Sequence, residues 1–222
     1  MIYILLFTSV FIGYLIALIL KVKEVKSLSI YLAFSGSFLL ALTIFELLPV
    51  VYQNPNKTIG VYIIAGILLQ IILEFFSQGA EHGHVHINKH TNSFPWLLFI
   101  SLSIHALLEG VPITENNNLL IGIMVHKIPI ALILSVFFIK ANYKKTTILL
   151  FLLLFGLMTP LGNWLSNNFE ITQNYQREIT AVAIGVFFHV STTILFESSK
   201  NHQFNLSKMS AVILAIVIAY FL

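Results

Sequence analysis

The chain has 222 residues, of which 58% are hydrophobic and only 9% are charged, with a formal net charge of +3. Soluble domains carry about 25% charged residues, so this composition excludes a soluble domain of any size and predicts an all-α polytopic membrane protein. Cysteine is absent, which excludes a disulfide framework and a thiolate site. No basic patch with interleaved aromatic residues occurs, so no nucleic-acid partner is expected.

Eight apolar stretches follow one another, each close to the roughly 20 residues that a spanning helix needs. They cover residues 2–20, 28–51, 59–78, 95–113, 118–140, 146–166, 179–197 and 207–222. The first has neither a basic n-region nor a small-residue cleavage site, so we interpret it as a retained span. We therefore predict one transmembrane domain, residues 1–222, with eight transmembrane helices.

The distribution of basic residues predicts the orientation in the membrane. Odd-numbered loops contain Lys21, Lys23, Lys26, Lys89, Lys140, Lys144, Lys145, Lys200 and Lys208. Even-numbered loops contain only Lys57 and Arg177. Cytoplasmic loops are enriched in lysine and arginine, so both termini are expected outside and the loop of residues 79–92 inside. The Lys-, Asn- and Ile-rich composition without cysteine indicates a plasma membrane, specifically a bacterial inner membrane.

Two ionisable motifs lie within the fourth and fifth stretches. His105 and Glu109 are four residues apart and therefore share a helix face, and His126 and Lys127 lie just before Pro129. In antiparallel helices each histidine is roughly eight residues from the outer end, so at about 1.5 Å per residue the imidazoles can meet at one depth. Imidazole and carboxylate are transition-metal ligands, which predicts an intramembrane site of His105, Glu109 and His126. The alternative is a hydrogen bond that only joins helices.

Lys127 is unusual because an ammonium group beside a cation site repels the ion. It can occupy the position of a second ion, or it can pair with Glu109 or another carboxylate. The alternative is a structural salt bridge, because buried charges are usually paired whatever their role.

The loop between the third and fourth stretches is rich in histidine, at positions His82, His84, His86 and His90. Short His-rich tracts bind transition metals. Alternating histidines in a flexible loop do not enforce one geometry, so weak and exchangeable metal capture is expected. The alternative is a solvated linker.

Three further polar residues occur at intermediate positions. Glu46 is placed near the outer end of the second span, His189 within the seventh, and Glu197 near the inner end of the seventh. Together they can mark an entrance and an exit for the ion. The alternative is interfacial snorkelling for the two glutamates and a satisfied core histidine for His189.

These motifs resemble those of the ZIP (zinc/iron-regulated transporter-like) family of metal permeases. The resemblance rests on His105-x-x-x-Glu109-Gly110 in the fourth span and His126-Lys127-x-Pro129 in the fifth. The layout is also similar, with eight spans, both ends outside and a His-rich loop after the third span. The resemblance implies a bundle in which spans 1–3 and 6–8 are inverted repeats around spans 4–5. It also implies that His105, Glu109 and His126 are transport-site ligands, and that the chain forms a homodimer.

The chain departs from the family pattern at several positions near these motifs. Ala106 stands where asparagine is frequent, and Ile130 where a carboxylate or histidine is frequent. Thr159 stands where some members have a metal-binding glutamate, and Lys127 where some have an acidic residue. These departures predict a single-metal site in which Lys127 supplies the charge of a second cation.

The function expected from the sequence is transport of divalent transition-metal ions into the cytoplasm, with Zn²⁺ first and Fe²⁺, Mn²⁺ and Cd²⁺ open. The ion is substrate, and no cofactor is expected. The expected partners are the metal ion, the lipid bilayer and a second copy of the chain. Enzymatic activity is not expected, although an intramembrane metal-dependent hydrolase is one alternative. A metal-sensing membrane protein without flux is the other.

Overall fold

The architecture is that of a helical bundle, described by a computed structural model for residues 1–19, 29–53, 56–77, 94–114, 118–197 and 206–222. The helices are α1 (Ile2–Ile19), α2 (Ser29–Leu42), α3 (Leu48–Val51), α4 (Lys57–Ser77), α5 (Trp96–Gly110), α6 (Leu119–Lys140), α7 (Lys145–Asn168), α8 (Glu170–Asn174), α9 (Gln176–Glu197) and α10 (Leu206–Phe221). A π-helical turn, Thr43–Leu47, joins α2 to α3. No strand occurs in the described ranges. Helices satisfy their own backbone hydrogen bonds, as an apolar medium requires.

Each of the eight apolar stretches coincides with a helix, within a few residues at each end. Within the described ranges, six helices are long and apolar enough to cross a membrane: Ile2–Ile19, Ser29–Val51, Lys57–Ser77, Leu119–Lys140, Lys145–Asn168 and Gln176–Phe196. The other two, α5 and α10, are apolar but have only 15 and 16 residues. The short length of α5 has a local reason: Pro95 precedes the helix, and Pro112, which lacks an N–H, follows it. The count of eight crossings stays a prediction.

The principal helix contacts divide the long helices into two bundles. The first bundle consists of α1, α5, α6 and α7, in which α1 packs on α6 and α7, and α5 packs on α7. The second bundle consists of α2, α4, α9 and α10, in which α4 packs on α9, and α2 packs on α9 and α10. Contacts of α2 with α6, of α4 with α5 and of α5 with α9 join the two bundles.

Two glycines set the close approach of α5 and α7. A Cβ atom on Gly162 would collide with the carbonyl oxygen of Leu107, and one on Gly110 would collide with that of Thr159. Small residues at such positions let helix backbones touch in membranes. The contact brings the C-terminal part of α5, which carries the predicted metal ligands, against the middle of α7.

Candidate metal centre

The site begins with two ligands on α5. Nε2 of His105 lies 2.9 Å from Oε1 of Glu109, and both side chains are 1% exposed. The i, i+4 spacing places them on one helix face, as predicted. This face points into the protein, since Leu102 and Ala106, which share it, are fully buried.

A second imidazole, that of His126 on α6, lies near the same oxygen of Glu109. Nε2 of His126 lies 3.8 Å from Oε1 of Glu109, and His126 is fully buried. The three ligand atoms of His105, Glu109 and His126 lie within 4.8 Å of one another, the one such group of three found in the described part of the chain. Two imidazole nitrogens and a carboxylate oxygen form a donor set that Zn²⁺ accepts. The two histidines therefore lie beside the same carboxylate oxygen in the structure.

The other oxygen of Glu109 faces a cation. Nζ of Lys127 lies 2.8 Å from Oε2 and 4.7 Å from the centroid of the Phe155 ring. Thr159 donates from Oγ1 to the carbonyl oxygen of Ala106 at 2.9 Å and lies 3.5 Å from Oε2 of Glu109. The carboxylate is thus divided, with one oxygen turned to the two imidazoles and the other to Lys127. Of the alternatives for Lys127, the structure shows the pairing with Glu109.

Both imidazoles are held from behind by polar side chains of the second bundle. Nδ1 of His105 donates to Oε1 of Gln70 on α4 at 3.1 Å, and Nδ1 of His126 lies 3.3 Å from Oγ of Ser35 on α2. A partner on one imidazole nitrogen orients the ring and directs the lone pair of the other nitrogen to a metal. Gln70 was missed by the sequence analysis, and the signal for it was an amide in the middle of the apolar stretch 59–78.

The structure places the remaining predicted residues away from this cluster or leaves them undescribed. Oε2 of Glu46 accepts the backbone N–H of Asn118 at 2.8 Å, directly before α6. His189 contacts Glu74 across α9 and α4, and Glu197 is the last residue of α9. The loop histidines His82, His84, His86 and His90 lie outside the described residues.

Comparison with known proteins gives the family. The family model of the ZIP zinc transporter matches residues 78–221, well over half of the chain, including the helices that carry all three ligand atoms. The chain belongs to the ZIP zinc transporter family. This match confirms the sequence-based assignment to the family. Members of the ZIP family are transporters and not enzymes.

Individual ZIP relatives match parts of the chain. Zinc transporter ZIP1 of Danio rerio is 38% identical over 93 residues, covering 38% of this chain and 30% of that protein. Protein zntD of Dictyostelium discoideum is 29% identical over 150 residues, covering 58% of this chain and 22% of that protein. Zinc transporter ZIP1 of Takifugu rubripes is 30% identical over 88 residues, covering 37% of this chain and 29% of that protein. The chain therefore spans less than a third of the length of each of these relatives.

Proposed function

We propose that this chain carries divalent transition-metal ions, zinc first, across a membrane into the cytoplasm through one site formed by His105, Glu109 and His126. The observation that carries the proposal is the convergence of three ligand atoms within 4.8 Å, deep inside a bundle of apolar helices. Ionisable side chains at such depth are costly and by default mark an ion path. Fe²⁺, Mn²⁺ and Cd²⁺ are the further substrates that this donor set can accept.

The charges around the site favour transient binding. Glu109 and Lys127 form a buried pair at 2.8 Å, so without an ion the two charges balance. A divalent ion adds two positive charges that the pair does not compensate, while the imidazoles contribute neutral ligands. Transport needs binding strong enough to replace hydration and weak enough to release. A single ion on one carboxylate oxygen, with Lys127 on the other, meets this requirement.

The proposed architecture has eight spans, with spans 1–3 and 6–8 as inverted repeats around spans 4–5. Such a repeat exchanges α1 with α7, α2 with α9, α4 with α10, and α5 with α6. Under this exchange, the contact between α4 and α9 corresponds to the contact between α10 and α2. The contact between α1 and α6 likewise corresponds to the contact between α7 and α5. The repeat also exchanges the contact of α2 with α6 for that of α9 with α5. These three exchanged pairs support the repeat, around which alternating access can occur, whereas the contact of α4 with α5 has no counterpart of similar extent between α10 and α6.

The proposed route runs from Glu46 on the outer side to His189 and Glu197 on the inner side, with Lys127 and Thr159 beside the central ligands. A cavity of about 410 Å³ at the outer side, lined in part by Thr114, Asn163 and Asn167, supports this direction. Asn163 is one helical turn from Thr159, which approaches Glu109. His82, His84, His86 and His90 then collect the ion inside.

The orientation in this proposal has both termini outside, in a plasma membrane of the bacterial inner-membrane type. It is supported by the nine lysines of odd-numbered loops against two basic residues in even-numbered ones. We also propose that two copies associate as a homodimer in the bilayer, as the family resemblance implies.

Radiotracer zinc uptake into proteoliposomes tests the central claim. The variant His105→Ala should lose uptake by more than the roughly 10–100-fold that removal of an orienting neighbour of a metal ligand costs, because it removes a ligand itself. His202→Ala is the matched control, since it removes a histidine that lies in the sequence between the last two apolar stretches, and it should transport at the native rate.

Other outcomes of this measurement would contradict the proposal. Equal uptake by the native chain and His105→Ala would exclude the central cluster as the transport site. Absence of uptake by the native chain for Zn²⁺, Mn²⁺ and Fe²⁺ would exclude transport. A lipid-release assay would then distinguish the metal-dependent hydrolase from a sensor that binds ions without flux.

Exchanging Lys127 for aspartate should change the number of ions bound or the ion selectivity. The substitution releases Oε2 of Glu109 from Nζ and adds carboxylate oxygens, so a second cation is needed to balance the charge. Lys127→Met is the control, because it removes the ammonium without adding a ligand and should keep one central ion. Ion counting by mass spectrometry on purified protein, together with competition uptake, checks this. Unchanged stoichiometry and selectivity in Lys127→Asp would contradict the single-metal hypothesis.

A further inference from the structure

The ring of Phe155 on α7 lies against the ammonium group of Lys127. Nζ of Lys127 is 4.7 Å from the ring centroid, within the roughly 6 Å over which an aromatic face attracts a cation. Lys127 and Phe155 are each 1% exposed, so water screens this attraction very little. The ammonium group therefore has two partners, the π face of Phe155 and Oε2 of Glu109, which is 2.8 Å from Nζ.

Other aromatic side chains fix the position of this ring. The centroid of Phe155 is 6.5 Å from that of Phe151, which in turn is 4.8 Å from that of Phe138 on α6. All three rings are at most 1% exposed, and a close-packed core leaves such a ring no room to withdraw. The four-carbon stem of Lys127, by contrast, is flexible. The ring is thus the fixed partner of this contact, and the ammonium group is the movable one.

An ion in the central cluster changes the forces on Lys127. The ion, bound by the two imidazoles and Oε1 of Glu109, shares that carboxylate with the ammonium group, and the two cations repel each other. If the stem of Lys127 turned away, the repulsion would fall and the ion would bind more tightly. The ring opposes this movement because its face attracts the ammonium group.

We propose that Phe155 is a positioning residue that keeps the ammonium group of Lys127 beside Oε2 of Glu109 while the ion is bound, and thereby keeps ion binding weak enough for release. The inference rests on the proposed transport function. In this role the ring contacts Lys127 and not the ion. Removal of the attraction should therefore tighten ion binding, whereas damage to the packing of the site would loosen it.

Trifluorophenylalanine at position 155 tests the inference on the purified full chain. Fluorine withdraws electron density from the ring face, which weakens its attraction for a cation, while the ring stays apolar and of similar shape. The starting protein carries alanine in place of the four loop histidines, so that the loop does not bind metal. Relative to it, the fluorinated protein should bind Co²⁺, a coloured substitute for Zn²⁺, about tenfold more tightly, a part of what a desolvated cation–π contact contributes. Both KM and kcat of zinc uptake should fall, because tighter binding slows release.

Two controls separate this effect from a change in packing. Lys127→Met removes the cation, so fluorination at position 155 should then leave Co²⁺ affinity unchanged, whereas a packing effect would persist. The same fluorination at Phe187, a fully buried ring in an apolar cluster, should alter neither binding nor uptake.

Unchanged or weaker Co²⁺ binding after fluorination at position 155 would overturn the inference, as would an equal effect in Lys127→Met. Tighter binding that depends on Lys127, in a chain that transports no ion, would instead refute the proposed function and leave Phe155 as a positioning residue of a binding site.

Discussion

Glu109→Gln should abolish zinc uptake and destabilise the bundle by about 3–5 kcal/mol, the usual cost of leaving a buried charge without its partner. Glu109 contacts both imidazoles through Oε1 and Lys127 through Oε2. Its replacement removes the anionic ligand of the ion and leaves the ammonium group of Lys127, 1% exposed, opposite a neutral amide. Proteoliposome uptake and thermal unfolding in detergent measure the two effects.

The double variant Glu109→Gln with Lys127→Met separates these effects. It removes both members of the buried pair, so the free energy of unfolding should return towards the native value, as it does when buried ion pairs are replaced by neutral groups. Uptake should stay abolished because the carboxylate ligand is still missing. Recovered uptake in the double variant would show that Glu109 only neutralises Lys127, and a fully stable single variant would show that the pair is not buried in the working protein.

Gly162→Ala should have the second largest effect, a loss of about 1–3 kcal/mol of stability from overpacking accompanied by loss of most zinc uptake. The new methyl group would meet the backbone carbonyl of Leu107, which cannot rotate away as a side chain can. α5 and α7 must then separate, which removes the hydrogen bond from Thr159 to Ala106 and displaces His105 and Glu109.

Gly60→Ala is the matched control for Gly162→Ala. Gly60 also lies within a helix, but the nearest atom to an added Cβ is Oη of Tyr52 at 3.7 Å, an ordinary contact. Alanine favours helix over glycine by about 1 kcal/mol, so this variant should be at least as stable as the native chain and should transport normally. If Gly162→Ala behaved in the same way, the close approach of α5 and α7 would not be needed for the site.

The central cluster could be anticipated from the sequence because two simple regularities generate it. The helical period places His105 and Glu109 on one face. Because few residues separate α5 from α6, the two helices are consecutive and His126 can come level with His105. Apolar length likewise predicted the positions of the helices. The same regularities do not determine which helices cross the membrane, and α5 and α10 are shorter than a typical span.

Other features of the site depend on packing between helices that are distant in sequence. Gln70 and His105 are 35 residues apart, and Ser35 and His126 are 91 apart, so no local period links them. The division of the Glu109 carboxylate depends on side-chain rotamers, and the alternatives for Lys127 were therefore left open by the sequence. The pairing of Glu74 with His189 was missed because Glu74, near the end of its apolar stretch, resembles an interfacial charge.

If the ion binds at the proposed site, the hydrogen bonds that the two imidazoles make with Gln70 and Ser35 couple ion affinity to the contact between the two bundles. The imidazoles belong to the first bundle, whereas Gln70 and Ser35 belong to the second. A cation bound at Nε2 withdraws electron density from the ring and makes Nδ1–H a stronger donor. Coupling free energies are reciprocal, so whatever the ion adds to the adhesion between the bundles, the closed interface adds equally to the affinity for the ion. Release of the ion therefore weakens the contact between the two bundles, and separation of the bundles weakens the binding of the ion.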